Sequence, residues 1–254
     1  MDITGISALV TGGVSGLGLA AAKALRRAGA ANVVAVDLDS ESAADTAAEH
    51  GLQFVPADIT DEDEFDRALD LARAAGPLRA VVHCAGRGGD RRRILDREGH
   101  ASPVEDFAEV IRVNLVGTYN VLRLSAEYIA GNGVDDDDRG AIVLTASVAA
   151  FEGQVGQTSY ASAKAGVHAM TLVAARDLAS VGIRVNTIAP GTFLTPMLGQ
   201  LRPEIRDGLA ATIPHPKRLG DPSEYGRLAV EMIGNPYLNG ETVRLDGAIR
   251  MAPR

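Results

Sequence analysis

From end to end of the chain, short apolar runs rich in β-branched residues alternate with longer amphipathic stretches. The short runs fall at residues 7–10, 32–37, 52–55, 79–85, 141–147 and 183–189, with helical periodicity at 16–28, 61–74, 104–130 and 160–180. The short runs are almost continuously apolar, the pattern of parallel strands covered on both faces. Strand followed by helix, repeated about six times, predicts a doubly wound α/β fold. A last helix at 222–233 and a strand at 242–245 bring the parallel sheet to seven strands flanked by helices. With no linker and no short-period repeat, residues 1–254 read as a single domain.

Charge and cysteine content narrow the setting. A net charge of −8 argues against a general nucleic-acid partner, which needs clustered positive potential. The lone cysteine, Cys84, allows no disulfide within the chain, as suits a reducing compartment. The first apolar run follows no basic segment and reads as a strand instead of a signal peptide. No run approaches the ~18 apolar residues of a membrane span. A cytoplasmic protein without a membrane partner is expected, and the alanine- and arginine-rich composition points to a bacterial one.

Two segments break the rhythm. Residues 131–140 carry four consecutive aspartates, which read as a solvated loop because a bare run of like charges repels itself, and no metal site is expected. Residues 86–103 are polar, rich in glycine and arginine, and follow the fourth strand at the edge of the sheet where ligands bind in this architecture.

The first strand runs directly into Thr11-Gly12-Gly13-Val14-Ser15-Gly16-Leu17-Gly18 and then a helix. Glycines there allow a tight turn and let backbone N–H groups approach a pyrophosphate at the positive end of the helix. The spacing is G-x-x-x-G-x-G and not the usual G-x-G-x-x-G, but its place between strand and helix favours a dinucleotide. Asp37 ends the second strand, where an acid accepts from ribose hydroxyls and repels a 2′-phosphate, so NAD is expected and NADP is not. Asp58, just past the third strand, is placed either to accept from the adenine amino group or to serve as a turn or helix cap.

Ser147 ends the fifth strand; Tyr160 follows, with Lys164 four residues later. On a helix, Tyr160 and Lys164 share a face one turn apart. An ammonium near a phenol favours phenolate, so the lysine is expected to lower the tyrosine pKa. The phenolate then takes the proton of an alcohol while hydride leaves to a nicotinamide, Ser147 holds the substrate oxygen, and Asn114 holds a water that relays the proton past Lys164.

Taken together, residues 11–18, Cys84-Ala85-Gly86, Asn114, Ser147, Tyr160-x-x-x-Lys164 and Pro190-Gly191 resemble the short-chain dehydrogenases/reductases, over the whole chain. The resemblance implies a Rossmann-type fold. Segments 145–157, 218–222 and 239–251 resemble a subgroup that acts on 3-hydroxyacyl-CoA and hydroxysteroids. It implies reversible oxidation of (S)-3-hydroxyacyl-CoA to 3-oxoacyl-CoA with NAD. The alternatives are a dehydrogenase of hydroxysteroids or other hydrophobic alcohols and, in another class, an NAD-bound scaffold or subunit of a complex. It further implies NAD contacts from Gly12, Ser15, Gly16, Leu17, Gly18, Asp37, Asp58, Ile59, Cys84, Ala85, Gly86, Tyr160, Lys164, Pro190, Gly191, Phe193 and Thr195. A homotetramer with the carboxyl-terminal strand and tail at an interface is implied too, as is a mitochondrial matrix location if the source is eukaryotic.

Cys84 reads as a backbone contributor and not a nucleophile. His83 stands where the close subgroup has Asn, and reads as a buried imidazole bonded to backbone or, less simply, as a titrating group. Loop 86–103 matches the subgroup poorly. Its Arg91, Arg92 and Arg93 suit the phosphates of coenzyme A, unless Asp90, Asp96 and Glu98 serve as their local partners. Segment 193–212 is expected to form a mobile helical lid, and Phe151, Gln154 and Gln157 to line the pocket mouth.

Overall fold

The structure, a computed structural model, describes residues 1–133, 138–199 and 202–253. Seven parallel strands form one sheet in the order β3-β2-β1-β4-β5-β6-β7: β1 Ser7–Thr11, β2 Asn32–Asp37, β3 Gln53–Pro56, β4 Leu78–His83, β5 Gly140–Thr145, β6 Ile183–Pro190 and β7 Thr242–Leu245. Nine α-helices cross between them among the described residues: α1 Gly16–Arg27, α2 Ala43–Glu49, α3 Glu62–Ala74, α4 Val104–Ile111, α5 Gly117–Ala130, α6 Thr158–Asp177, α7 Pro196–Gly199, α8 Pro203–Ala211 and α9 Pro222–Gly234.

The continuous apolar strands split into two faces at a period of two. Leu9, Val34, Val36, Val81, Ile142 and Leu144 enter one core with α3, α5 and α6. Their neighbours Ala8, Val10, Val33, Ala35, Val82 and Val143 enter the other, under α1 and α9. Helix ends follow local chemistry. Asp61 caps α3 by accepting from the Glu64 N–H, and Asp221 with Glu224 forms a capping box at α9 behind Pro222.

The chain reverses its direction of winding between β1 and β4. A crevice opens there beyond the carboxyl ends of the strands, and the phosphate-loop candidate and the arginine loop meet at that crevice.

Three expectations change. The stretch 104–130 is not one α-helix: a π-helical turn, Arg112–Val116, separates α4 from α5. The fifth strand ends at Thr145, so Ser147 lies beyond it as the cap of a 3₁₀ turn, Val148–Ala150. In the acidic loop, Asp135, Asp136 and Asp137 lie outside the described residues, but Asp138 is not a solvated charge. It pairs with the buried Arg184 at 3.1 Å, and that guanidinium also donates to carbonyls at the end of α9. The lid segment contains α7 and α8; its residues 200 and 201 lie outside the described set. No helix among the described residues is long and apolar enough to cross a membrane.

Candidate active site

A cavity of about 550 Å³ lies over the first strand–helix turn, lined by Gly12, Ser15, Gly16, Leu17, Gly18, Asp37, Asp58, Ile59, Cys84, Ala85, Gly86 and Thr195. It is also lined by groups that the sequence did not single out for this role, among them Leu38, Arg87, Glu109 and Arg112. The glycines are steric requirements. Gly12 and Gly16 adopt φ of +65° and +49°, and a Cβ on Gly12 would stand 3.0 Å from the Ala85 nitrogen. A Cβ on Gly18 would lie 2.0 Å from the Gly12 carbonyl oxygen. The cradle therefore exists only as bare backbone, as a phosphate-binding turn at a helix N-terminus requires.

Asp37 is held at the rim: its carboxylate accepts from the Leu38 N–H at 3.0 Å and the Val14 N–H at 3.4 Å. Asp58 uses one oxygen to accept from the backbone and hydroxyl of Thr60, both at 2.8 Å, so it is a turn residue that also faces the cavity. Glu109 bonds Arg112 at 2.8 Å and Arg87 at 3.4 Å, tying both guanidiniums of the cavity wall to one carboxylate. The three-residue spacing from Glu109 to Arg112 is the signal by which the sequence could have shown half of this bridge. The Phe193 ring is buried against Gly220 and does not line the cavity, and Gly191 packs on Asp246.

Beside the cavity, α6 carries Tyr160 in its first turn, with the buried Lys164 one turn on. The Lys164 ammonium donates to the Thr145 carbonyl at 2.9 Å and lies 5.8 Å from the centroid of the Tyr160 ring. Burial lowers its pKa to about 8. Burial also raises the Tyr160 phenol, offset in part by a hydrogen bond with the Ser147 hydroxyl. The expected lowering by Lys164 is thus not observed: residue spacing implied proximity, but the ammonium is engaged by Thr145 and desolvation of the phenol dominates.

Asn114 lies buried in the π-turn. Its amide donates to the carbonyls of Arg87 and Val110 and its oxygen accepts from the Arg87 N–H, which pins the start of the arginine loop. A Cβ on Gly86 would stand 2.6 Å from the Asn114 oxygen and 3.7 Å from Lys164 Nζ, so only a glycine fits between them. His83 is fully buried, but its ring nitrogens bond the hydroxyls of Thr11 and Thr118 instead of backbone. Burial, reinforced by the nearby Lys164, holds its pKa at about 3. The Cys84 thiol is pushed up by burial and donates to the Tyr225 hydroxyl, which suits neither a nucleophile nor a metal ligand.

The arginine loop lies against this machinery. A Cβ on Gly89 would meet Tyr160 Cβ at 3.0 Å, and the Arg91 carbonyl sits 2.9 Å from where a Cβ of Gly156 would stand. Arg91, Arg92, Arg93 and Arg97 line a cavity of about 620 Å³ with Asp96 and Glu98. The proposed local partners do not neutralise the arginines. Asp90 instead caps the Arg92 N–H, Asp96 accepts from the Glu98 and His100 N–H groups, and Arg92 pairs with Asp106. Gln154 and Gln157 bond one another, and Gln154 also donates to the Ala252 carbonyl of the tail. Phe151 is partly exposed and stacks with His168 and under Arg244.

Fold and site together define an oxidoreductase built to hold a dinucleotide, and the chain belongs to the short-chain dehydrogenase family, whose model, described as short chain dehydrogenase, matches residues 7–206. It is 49% identical to the 3-hydroxyacyl-CoA dehydrogenase type-2 of Bos taurus, over 99% of this chain and 98% of that protein. It is 49% identical to the protein of that name from Drosophila melanogaster, over 96% and 97%. The crystal structure of 3-hydroxyacyl-CoA dehydrogenase type-2 from Mycobacterium avium superimposes with a TM-score of 0.96 at 46% identity, covering 98% of both chains. The protein is accordingly an enzyme of nicotinamide-dependent redox chemistry acting on a small molecule.

Proposed function

We propose that the enzyme interconverts (S)-3-hydroxyacyl-CoA and 3-oxoacyl-CoA with NAD. The observation that carries this reading is the Tyr160–Lys164 pair, which packs on Gly86 of the bare-backbone dinucleotide cradle and on Gly89 of the arginine loop. The near full-length similarity to enzymes named for that reaction supports it.

Gly12, Ser15, Gly16, Leu17 and Gly18 would hold the pyrophosphate, Asp37 the ribose, and Asp58 and Ile59 the adenine side. When bound, NAD supplies the hydride acceptor for alcohol oxidation. Asp37 disfavours a 2′-phosphate, and the nearby cations Arg87 and Arg112 are already paired with Glu109. Ser147 orients the substrate oxygen and the Tyr160 hydroxyl exchanges its proton. A phenol kept protonated by burial is matched to donation onto a ketone, the reductive direction. Lys164 holds its place on Thr145 and is charged below about pH 8. Arg91 and Arg93 take the phosphates of the carrier. The half-buried edge strand β7 supports a homotetramer in which that edge is covered.

The test is NADH consumption with acetoacetyl-CoA, beside a steroid ketone and an NADPH control. Fast turnover with acetoacetyl-CoA and NADH, lost in Tyr160→Phe, is expected. Turnover of the steroid alone would overturn the acyl-CoA reading.

A further inference from the structure

His83 bonds to side chains whose own partners settle the position of every proton around it. The Thr118 hydroxyl has one hydrogen and gives it to the Asn114 carbonyl at 2.7 Å, since a carbonyl can only accept. At its 2.9 Å contact with His83 Nε2, Thr118 must therefore accept, and Nε2 carries the ring proton. A neutral imidazole has no second proton, so Nδ1 is an acceptor and takes the hydrogen of the Thr11 hydroxyl at 2.7 Å. The lone pairs of Thr11 in turn accept from the Cys84 and Ala85 N–H groups at 3.2 and 3.1 Å.

All these bonds point one way. They run from the Cys84-Ala85 backbone, a wall of the cofactor cavity, through Thr11, His83 and Thr118 onto the Asn114 carbonyl. A second chain ends on the backbone of the same residue. The Cys84 thiol donates to Tyr225, and Thr145 spends its single hydroxyl hydrogen on the His83 carbonyl, so it must accept from the Tyr225 hydroxyl at 2.7 Å. The Thr145 carbonyl holds Lys164. His83 thus fixes Asn114 through its ring and, through its backbone carbonyl, anchors the Thr145 side chain beside Lys164. Aligned hydrogen bonds of this kind polarise one another in a low-dielectric interior.

We propose that His83 is a positioning residue for proton transfer: a permanently neutral, Nε2-protonated imidazole that locks the cofactor wall to Asn114, while its backbone carbonyl anchors the Thr145 side chain beside Lys164. Its kinetic readout rests on the reaction proposed above; its tautomer does not.

Nitrogen-15 NMR of histidine-labelled enzyme tests the tautomer directly. One of the five rings is expected to be Nε2-protonated and not to titrate between about pH 5 and about pH 9, where an ordinary histidine does. An Nδ1-protonated ring at His83, or one that titrates, overturns the proposal.

His83→Phe keeps a ring but leaves the Thr11 hydroxyl proton without its acceptor and the Thr118 hydroxyl without its incoming donor. Its kcat should fall about tenfold, the loss expected for buried polar groups left unpaired, with KM values little changed and the alkaline limb of the kcat profile displaced. His83→Gln, whose amide NH2 can donate to Thr118 and whose carbonyl can accept from Thr11, should recover most of the kcat. A folded His83→Phe enzyme with wild-type kcat and pH profile overturns the role; if it does not fold, the glutamine variant and the NMR decide. Absence of acetoacetyl-CoA turnover in the wild type would sink the proposed reaction while the NMR still tests His83.

Discussion

On the cofactor side of the site, a methyl group added to Gly18 would meet the Gly12 carbonyl at 2.0 Å, and one added to Gly13 would meet the Val10 carbonyl at 2.6 Å. On the side proposed for the substrate, Gly88 and Gly99 have nothing within 4 Å of where a Cβ would stand. The first wall is backbone packed on backbone, and its shape is dictated by sterics before any ligand arrives. The second is a loop whose only regular pairing is an isolated bridge between Leu95 and Ala101, and its character comes from charge. A fold can hold its cofactor grip constant and change its substrate by rewriting the second wall alone.

Gly18→Ala should break the contrast hardest if the contrast is wrong. With backbone on both sides, overpacking costs about 1–3 kcal/mol or more, so NADH affinity should fall by about ten- to a hundredfold in a fluorescence titration. Unchanged affinity would mean the cradle is pliable. Next in size, Arg91→Gln with Arg93→Gln should raise the KM for acetoacetyl-CoA about tenfold, since two solvent-exposed ion pairs contribute up to about 1 kcal/mol each. The same variant should handle an acetoacetyl-pantetheine thioester, which lacks the nucleotide phosphates, as the wild type does. Equal losses on both substrates would remove the phosphates from the argument. The smallest effect is expected from Gly89→Ala. The new methyl meets only the Tyr160 Cβ at 3.0 Å, and a loop free to shift by a few tenths of an ångström should limit the fall in kcat to about two- or threefold. A loss as large as that of Gly18→Ala would show that the loop is as rigid as the cradle.

The same division governs what could be read without coordinates. The strands, their parallel direction and the glycine turn are legible in the sequence because apolar continuity and residue spacing report directly on backbone packing. Tyr160 and Lys164 were placed on one helical face correctly, but the direction of the tyrosine shift was not. Spacing specifies which side chains are neighbours and says nothing about how deeply each is buried or which carbonyl it prefers. For the arginine loop, the local-partner alternative misses in the same manner: Asp90 and Asp96 are close in sequence but are spent on backbone N–H groups, and pairing for Arg92 and Arg87 comes from Asp106 and Glu109 on another element. The π-turn was invisible because residues 104–130 have helical periodicity throughout, and only tertiary contacts show where the extra residue is stored.

That stored residue sets a phase. One residue turns an α-helix by about 100°, so α4 and α5 are two rotors on one axle, offset by a fixed angle at Arg112–Val116. Helix α5 is keyed to the core by Val121, Leu124 and Ile129 and cannot turn. Shortening the π-turn by a single residue would therefore swing Glu109 around the axle, away from Arg87, and carry the buried Val110 with it, while the core contacts of α5 stay in place. In this stretch the length of the chain works as an angular setting, and a gap of one position in a relative would mark a differently aimed site within the same fold.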